Sequence, residues 1–272
     1  MTDVQYTGDN VNVLLCVVGR HVMGVTQLQN IVYIVCSGSS AIIRFNARTH
    51  HRLTDVRVKK LRQPWDIAAC EQTSVVYVSG TACVWRVSSD DEDVKLWLPK
   101  SPSDKIKPYT LSVTSSKLLV TSRDTKHLRQ FDAVGDELRR VDLPDDMKPR
   151  HAVESPAGTF IVSHRDTQLK QRQVSEVNTG GQVLRQFSGS HLLPLGYTPH
   201  IAVESQGNIF VADYYNSCIL LLNSELALRG VIIDEHQLNY KDPWRLCYTE
   251  QSGQLLVGFD YGDVAVFDVL RR

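Results

Sequence analysis

The feature that most constrains the fold of this chain is a degenerate repeat. A proline-led start recurs as Pro64-Trp65-Asp66-Ile67, Pro108-Tyr109-Thr110-Leu111, Pro149-Arg150-His151-Ala152, Pro199-His200-Ile201-Ala202 and Pro243-Trp244-Arg245-Leu246. The prolines stand 44, 41, 50 and 44 positions apart, and a sixth start without proline, Met23-Gly24-Val25, begins 41 positions before Pro64. A steady period in this range marks a repeat architecture, because one unit alone cannot bury its apolar faces.

Each start leads into a second apolar run, such as Val75-Val76-Tyr77-Val78, Phe160-Ile161-Val162 or Ile209-Phe210-Val211. Small and polar residues interrupt, and a third run follows, as in Ile42-Ile43-Arg44-Phe45 and Val264-Ala265-Val266-Phe267. A more polar fourth segment, Val183-Leu184-Arg185-Gln186-Phe187 in one unit, ends the repeat. Short runs rich in Val, Ile and aromatics between Gly, Ser, Asp and Asn are strands. Four strands per unit make a propeller blade. The expected fold is all-β: a six-bladed β-propeller of four-stranded antiparallel blades, one domain over 1–272. The blades are expected at 22–60, 64–100, 108–144, 148–189, 198–233 and 242–272. The last unit supplies three strands, so an N-terminal strand at 11–18 is expected to complete it. Closing the ring in this way removes exposed sheet edges.

A chain of 272 residues can bury a large core without disulfides. Its six cysteines form no Cys-x-x-Cys pair and mostly lie within apolar runs, which reads as small buried hydrophobes in a reducing compartment. No apolar run approaches the ~20 residues of a membrane span. With no basic leader visible, we expect a cytoplasmic monomer with no cofactor and no membrane contact. Basic and acidic side chains balance at 30 each, which argues against broad electrostatic capture of nucleic acid but leaves room for a local basic patch.

The third runs end in Arg44-Phe45-Asn46, Arg86-Val87-Ser88 and Phe267-Asp268-Val269, without the Trp-Asp pair of WD repeats, and Trp65-Asp66 opens a unit instead of closing a strand. The fifth unit is the most specific. Pro199, the stretch Gly207-Asn208-Ile209-Phe210-Val211-Ala212-Asp213, then Asn216 and Ile219 closely resemble an NHL repeat. The resemblance spans most of the chain in outline and is similar to the C-terminal propeller of tripartite-motif NHL proteins and to stand-alone invertebrate NHL-like propellers. It implies recruitment of protein or RNA. No Cys/His-rich RING or B-box stands within these residues, so ligase activity is not implied by them.

In a blade, the proline-led loop and the loop between the second and third strands lie at the same end. One face of the ring should therefore collect Trp65, Tyr109, Arg150, His200, Trp244 and Arg245 from the first set. Arg123, Tyr214 and Tyr215 join them from the second. Arg and aromatic residues gathered on one face have the composition of a binding hot spot, and a protein partner on this face is the primary expectation. Single-stranded RNA is the alternative, with Arg for phosphates and Tyr for stacking, although Asp66, Asp124, Asp166, Asp213 and Asp260 dilute the field. A metal-dependent hydrolase or lyase is a third reading. His151 and His200 open adjacent blades and could meet at the channel, but no third ligand recurs in the repeat, so no metal and no catalytic residue is assigned.

Overall fold

The computed structural model describes residues 6–8, 13–16, 20–89, 93–101, 103–122, 124–189, 194–198, 200–239 and 241–271. Two short N-terminal strands come first, β1 (Tyr6–Gly8) and β2 (Val13–Cys16). The first full blade is β3 (Val22–Leu28), β4 (Ile31–Cys36), β5 (Ala41–Asn46) and β6 (Val56–Arg57). The second is β7 (Asp66–Cys70), β8 (Val75–Ser79), β9 (Val84–Ser88) and β10 (Val94–Leu98). The third is β11 (Thr110–Thr114), β12 (Lys117–Thr121), β13 (His127–Phe131) and β14 (Glu137–Asp142). The fourth is β15 (Met147–Glu154), β16 (Phe160–Asp166), β17 (Arg172–Val177) and β18 (Val183–Phe187). The fifth is β19 (Ile201–Val203), β20 (Ile209–Asp213), β21 (Cys218–Leu222) and β22 (Leu228–Ile233). The sixth opens with β23 (Pro243–Thr249), β24 (Gln254–Phe259) and β25 (Asp263–Arg271).

Each set is an antiparallel sheet, and the six sheets form the predicted six-bladed ring. The expected closure is present with one refinement. Val13–Cys16 of β2 pairs with Val266–Asp263 of β25, and Tyr6–Gly8 of β1 pairs with Arg271–Val269 further along the same long strand. Two short strands laid end to end thus replace the single 11–18 strand; positions 11, 12, 17 and 18 lie outside the described residues.

The core lies between blades. One apolar cluster fills each interface: Phe210 and Ile219 meet Phe267 and Leu255 between blades five and six, and Tyr33 and Ile42 meet Val76 and Val78 between blades one and two. Middle strands are packed on both faces, which is why they read as continuously apolar; each large side chain so buried contributes roughly 1.5–3 kcal/mol. Outer strands such as β14 and β18 are mostly exposed. Five described cysteines are free thiols, and burial pushes Cys36 up to about 11. Among the described residues no helix is long and apolar enough to cross a membrane.

Three inner strands carry a register shift at the repeat's opening, at Val22/Gly24, Pro149/His151 and Pro243/Arg245. A bulge there re-aims the next side chain, and in blades four and six the residue after the shift is His151 or Arg245.

Candidate functional site

The inner strand of each blade is an edge: its channel-side N–H and C=O groups have no ladder partner. Side chains from the preceding blade satisfy them. Asp66 Oδ2 accepts the Leu111 N–H at 2.9 Å, joining blade two to three. Thr110 Oγ1 donates to Arg150 O at 2.8 Å, joining three to four. His151 Nδ1 accepts the Ile201 N–H at 3.3 Å, joining four to five. His200 Nδ1 accepts the Leu246 N–H at 3.3 Å, joining five to six. Arg245 closes the circle: Nε donates to Met23 O of blade one, Nη2 to Trp65 O at 3.1 Å and Nη1 to Trp244 O at 3.0 Å. The first blade has Gly24 at this level, because a Cβ there would lie 2.6 Å from Ile67 N and 2.8 Å from Asp66 Oδ1.

The ring is buried and polar. Arg245 is 0% and Asp66 1% exposed, with Arg245 Nε 3.9 Å from Asp66 Oδ1. Burial raises the Asp66 carboxyl above its usual range, opposed by the Arg245 charge and by the backbone N–H groups of Leu111 and Ile67. The His151 and His200 rings stack at 3.6 Å between centroids. Burial holds both far below the ordinary histidine value, helped for each by the Arg245 charge and for His151 also by His200.

Asp66, His151 and His200 bring one ligand atom each to within 4.8 Å of one another. This third member, on a non-adjacent blade, is the ligand that reading the repeat did not find. The set does not fit a divalent cation. A histidine that ligates a metal keeps a lone pair on the ligating nitrogen and donates its other N–H outward. Here Nδ1 of both rings accepts a backbone N–H, so each neutral ring carries its proton on Nε2. His151 Nε2–H donates to Leu111 O at 3.3 Å. His200 Nε2 stands 3.5 Å from Asp66 Oδ2, and the cation's place beside Asp66 belongs to Arg245.

Beyond the ring the channel widens into a cavity of about 390 Å³, walled by Val25, Ile67, Leu111, Ile201 and Leu246 and reaching the first-to-second-strand turns at Glu71 and Glu250. It opens toward the face opposite the proline loops.

The proline-loop face holds a second constellation. Tyr197 touches Trp244 at 5.6 Å, Tyr214 at 5.9 Å and Tyr215 at 6.0 Å between ring centroids. The guanidinium carbons of Arg150 and Arg172 lie 5.3 and 5.0 Å from the Tyr197 centroid. Tyr214 Oη donates to Asp260 Oδ2 at 3.0 Å, and its hydroxyl is pushed up by burial first and Asp260 second.

The nine expected site residues therefore divide. Arg150, Tyr214, Tyr215 and Trp244 come together on the rim. Trp65 is half-buried against Tyr109 at 5.6 Å, a separate pair over blades two and three, and Tyr109 is 6% exposed. Tyr109, His200 and Arg245 are corrections: Tyr109 is buried beneath the face, and His200 and Arg245 are in the buried ring, where unpaired backbone groups of the neighbouring strands claim them. Arg123 lies outside the described residues. Tyr197 and Arg172 belong to the rim and were missed. Tyr197 precedes the proline, and Arg172 opens a third strand, so neither falls at a repeat-marked position.

No family profile matches the chain, and no curated protein matches it. Solved structures do. A catalytically inactive histidine-to-alanine variant of virginiamycin B lyase from Staphylococcus aureus with quinupristin superposes with a TM-score of 0.68 at 11% identity, over 98% of this chain and 100% of that one. The WD40 β-propeller domain of Doa1 gives 0.67 at 14% identity over 98% and 97%. A chain of the nidogen/laminin complex gives 0.63 at 12% identity over 80% and 82%. Enzymes and non-enzymatic propellers both stand in this company, and at such identities the likeness is one of fold. The chain is a six-bladed β-propeller.

Proposed function

We propose that the chain is a non-catalytic, NHL-like interaction propeller, a cytoplasmic monomer that docks a protein partner on its proline-loop face over blades four to six. The observation that carries this reading is the rim cluster of Tyr197, Tyr214, Tyr215 and Trp244. Tyr215 is 70% exposed, and Tyr261, on the same rim beside His21, is 75% exposed. Large aromatics held by their neighbours yet open to water offer contact area at little cost in conformational entropy, and buried aromatic anchors dominate interface energies. The test compares proteins retained from lysates of expressing cells by wild type, by Tyr215→Ala/Tyr261→Ala and by Gln251→Ala on the opposite face. A partner kept by wild type and Gln251→Ala but lost by the tyrosine variant is expected. Equal retention by all three would remove the assignment.

A second reading places catalysis in the channel. It draws on the 390 Å³ cavity ending at His151 and His200 and on the likeness to a lyase. The hydrogen bonds those histidines already make count against it.

A further inference from the structure

Several arginines of the described chain sit beside carboxylates. Arg52 pairs with Asp55, Arg86 with Asp93, Arg129 with Asp104 and Glu137, and Arg185 with Glu176. The rim end of blade four is arranged differently from these pairs. Lys148 of β15 stands opposite Arg165 of β16, which stands opposite Arg172 of β17. Arg150 lies two residues beyond Lys148. Like charges directly across strands oppose folding, yet none of these four forms an ion pair with a carboxylate among the described residues. The nearest acid in sequence, Asp166, uses Oδ1 to accept the N–H groups of Gln168 and Leu169.

Three buried N–H groups at this place have no acceptor: Arg150 Nε, Arg172 Nη1 and Trp244 Nε1. A buried donor without a partner is rare and asks for one. The Arg172 guanidinium is destabilised by burial and by the charges of Arg150 and Arg165. The cluster thus has uncompensated positive charge, unused forked donors and an aromatic wall.

We propose that Arg150, Arg165 and Arg172 receive a phosphoryl group carried on a peptide, with the side chain that bears it lying along exposed Tyr215. A phosphoryl group brings close to two negative charges and three strong acceptor oxygens, which arginine forks bind in pairs. A peptide is favoured over a nucleic-acid strand because the basic patch is confined. Asp242 and Asp260 border it on the blade-six side, Asp124 on the blade-three side, and a run of phosphates would have to cross them. The inference rests on the interaction reading above and names the chemistry its partner presents.

The experiment is calorimetric titration of the whole chain with phenyl phosphate, inorganic phosphate and an octamer of uridylate, repeated on Arg172→Gln, Arg150→Gln/Arg172→Gln and, as a control, Arg57→Gln on the first blade's outer strand. Phenyl phosphate should bind saturably and more tightly than inorganic phosphate. Arg172→Gln should weaken it about tenfold, the size of one lost charge-assisted hydrogen bond, while Arg57→Gln should not change it; a thermal scan confirms that each variant is folded. Absence of saturable phenyl phosphate binding, or binding that survives the double variant, overturns the proposal. So does uridylate binding more tightly than phenyl phosphate with a steep salt dependence, which would assign the cluster to nucleic acid. Failure here with the partner still lost from Tyr215→Ala/Tyr261→Ala would leave the interaction reading standing. Binding here with no partner dependent on that face would leave the anion site standing alone.

Discussion

The polar ring of the channel and the basic-aromatic rim are built from neighbouring residues. Arg150 precedes His151 and Trp244 precedes Arg245, yet one member of each pair goes to the rim and the other to the channel. The two regions differ in how their polar groups are used, although each keeps a buried N–H without an acceptor, His200 Nε2 being the one in the ring. In the ring, Asp66, Thr110, His151, His200 and Arg245 each hold the next blade's inner strand. On the rim, guanidinium and indole N–H groups are left without acceptors and like charges face each other. A ring whose donors and acceptors mostly answer one another suits a structural network; several unanswered donors beside exposed aromatics suit a binding surface. Two stacked histidines with an aspartate resemble an active site, yet their hydrogen bonds tie blade to blade, and the arginines that the proposal uses are less conspicuous.

The contrast can be broken in four ways. The largest effect is expected from acid. Histidines in the unfolded chain titrate near 6.5, whereas folded His151 and His200 stay neutral far below that and His164, bonded to Ser175, is pushed down to about 4. As pH falls from 6.5 toward 4, the unfolded chain takes up protons that the folded chain refuses, so stability drops. Three such groups set a limiting slope of about 4 kcal/mol per pH unit. Asp66 has the opposite sign, since its raised folded value lets the native chain take a proton first, and it offsets part of the loss at the acid end. Denaturant midpoints at pH 7 and pH 5 should differ strongly; equal midpoints would contradict the buried neutral ring.

Arg245→Met removes three carbonyl partners and leaves Asp66 buried without its counter-charge. A loss of about 3–5 kcal/mol is expected, and adding Asp66→Asn should restore a good part of it. A double variant no more stable than Arg245→Met would show that the two are not coupled. Gly24→Ala probes the gap in the ring: the new methyl meets backbone at 2.6 Å, so about 1–3 kcal/mol should be lost. Tolerance of alanine would mean that the first two blades can separate freely.

The smallest effect sharpens the comparison most. Arg172→Gln relieves a cross-strand repulsion and should change stability by less than about 0.5 kcal/mol, in the stabilising direction at low salt. A clear destabilisation in urea titrations would make Arg172 a structural residue like those of the ring.

Much of the fold was legible because a blade has a rigid grammar. The proline-led start, the apolar second run and the turn between second and third strands recur whatever the side chains do, and the spare N-terminal strand was needed to complete the last sheet. The site was legible only in part. Position after the proline predicted the rim for Arg150 and Trp244, but the same position in the fifth unit, His200, turns into the channel. There Ile201 occupies the next place, its N–H is taken by His151, and the ring is served by the residue before it. Arg172 looks unremarkable in sequence and becomes significant only through its register with Arg165 and Lys148.

The sequence by itself determined the count of blades, the strand order and the face on which the loops gather, because these follow from local patterning and from the need to bury apolar faces. Tertiary structure decided the fate of each polar side chain. An arginine or histidine can serve a neighbouring backbone or an outside ligand with the same atoms, and which it does depends on which unpaired groups the adjoining blade brings within about 3 Å. That distance is set by bulges and by how the blades pack, so Arg245 became a clasp and Arg172 was left with donors to spare.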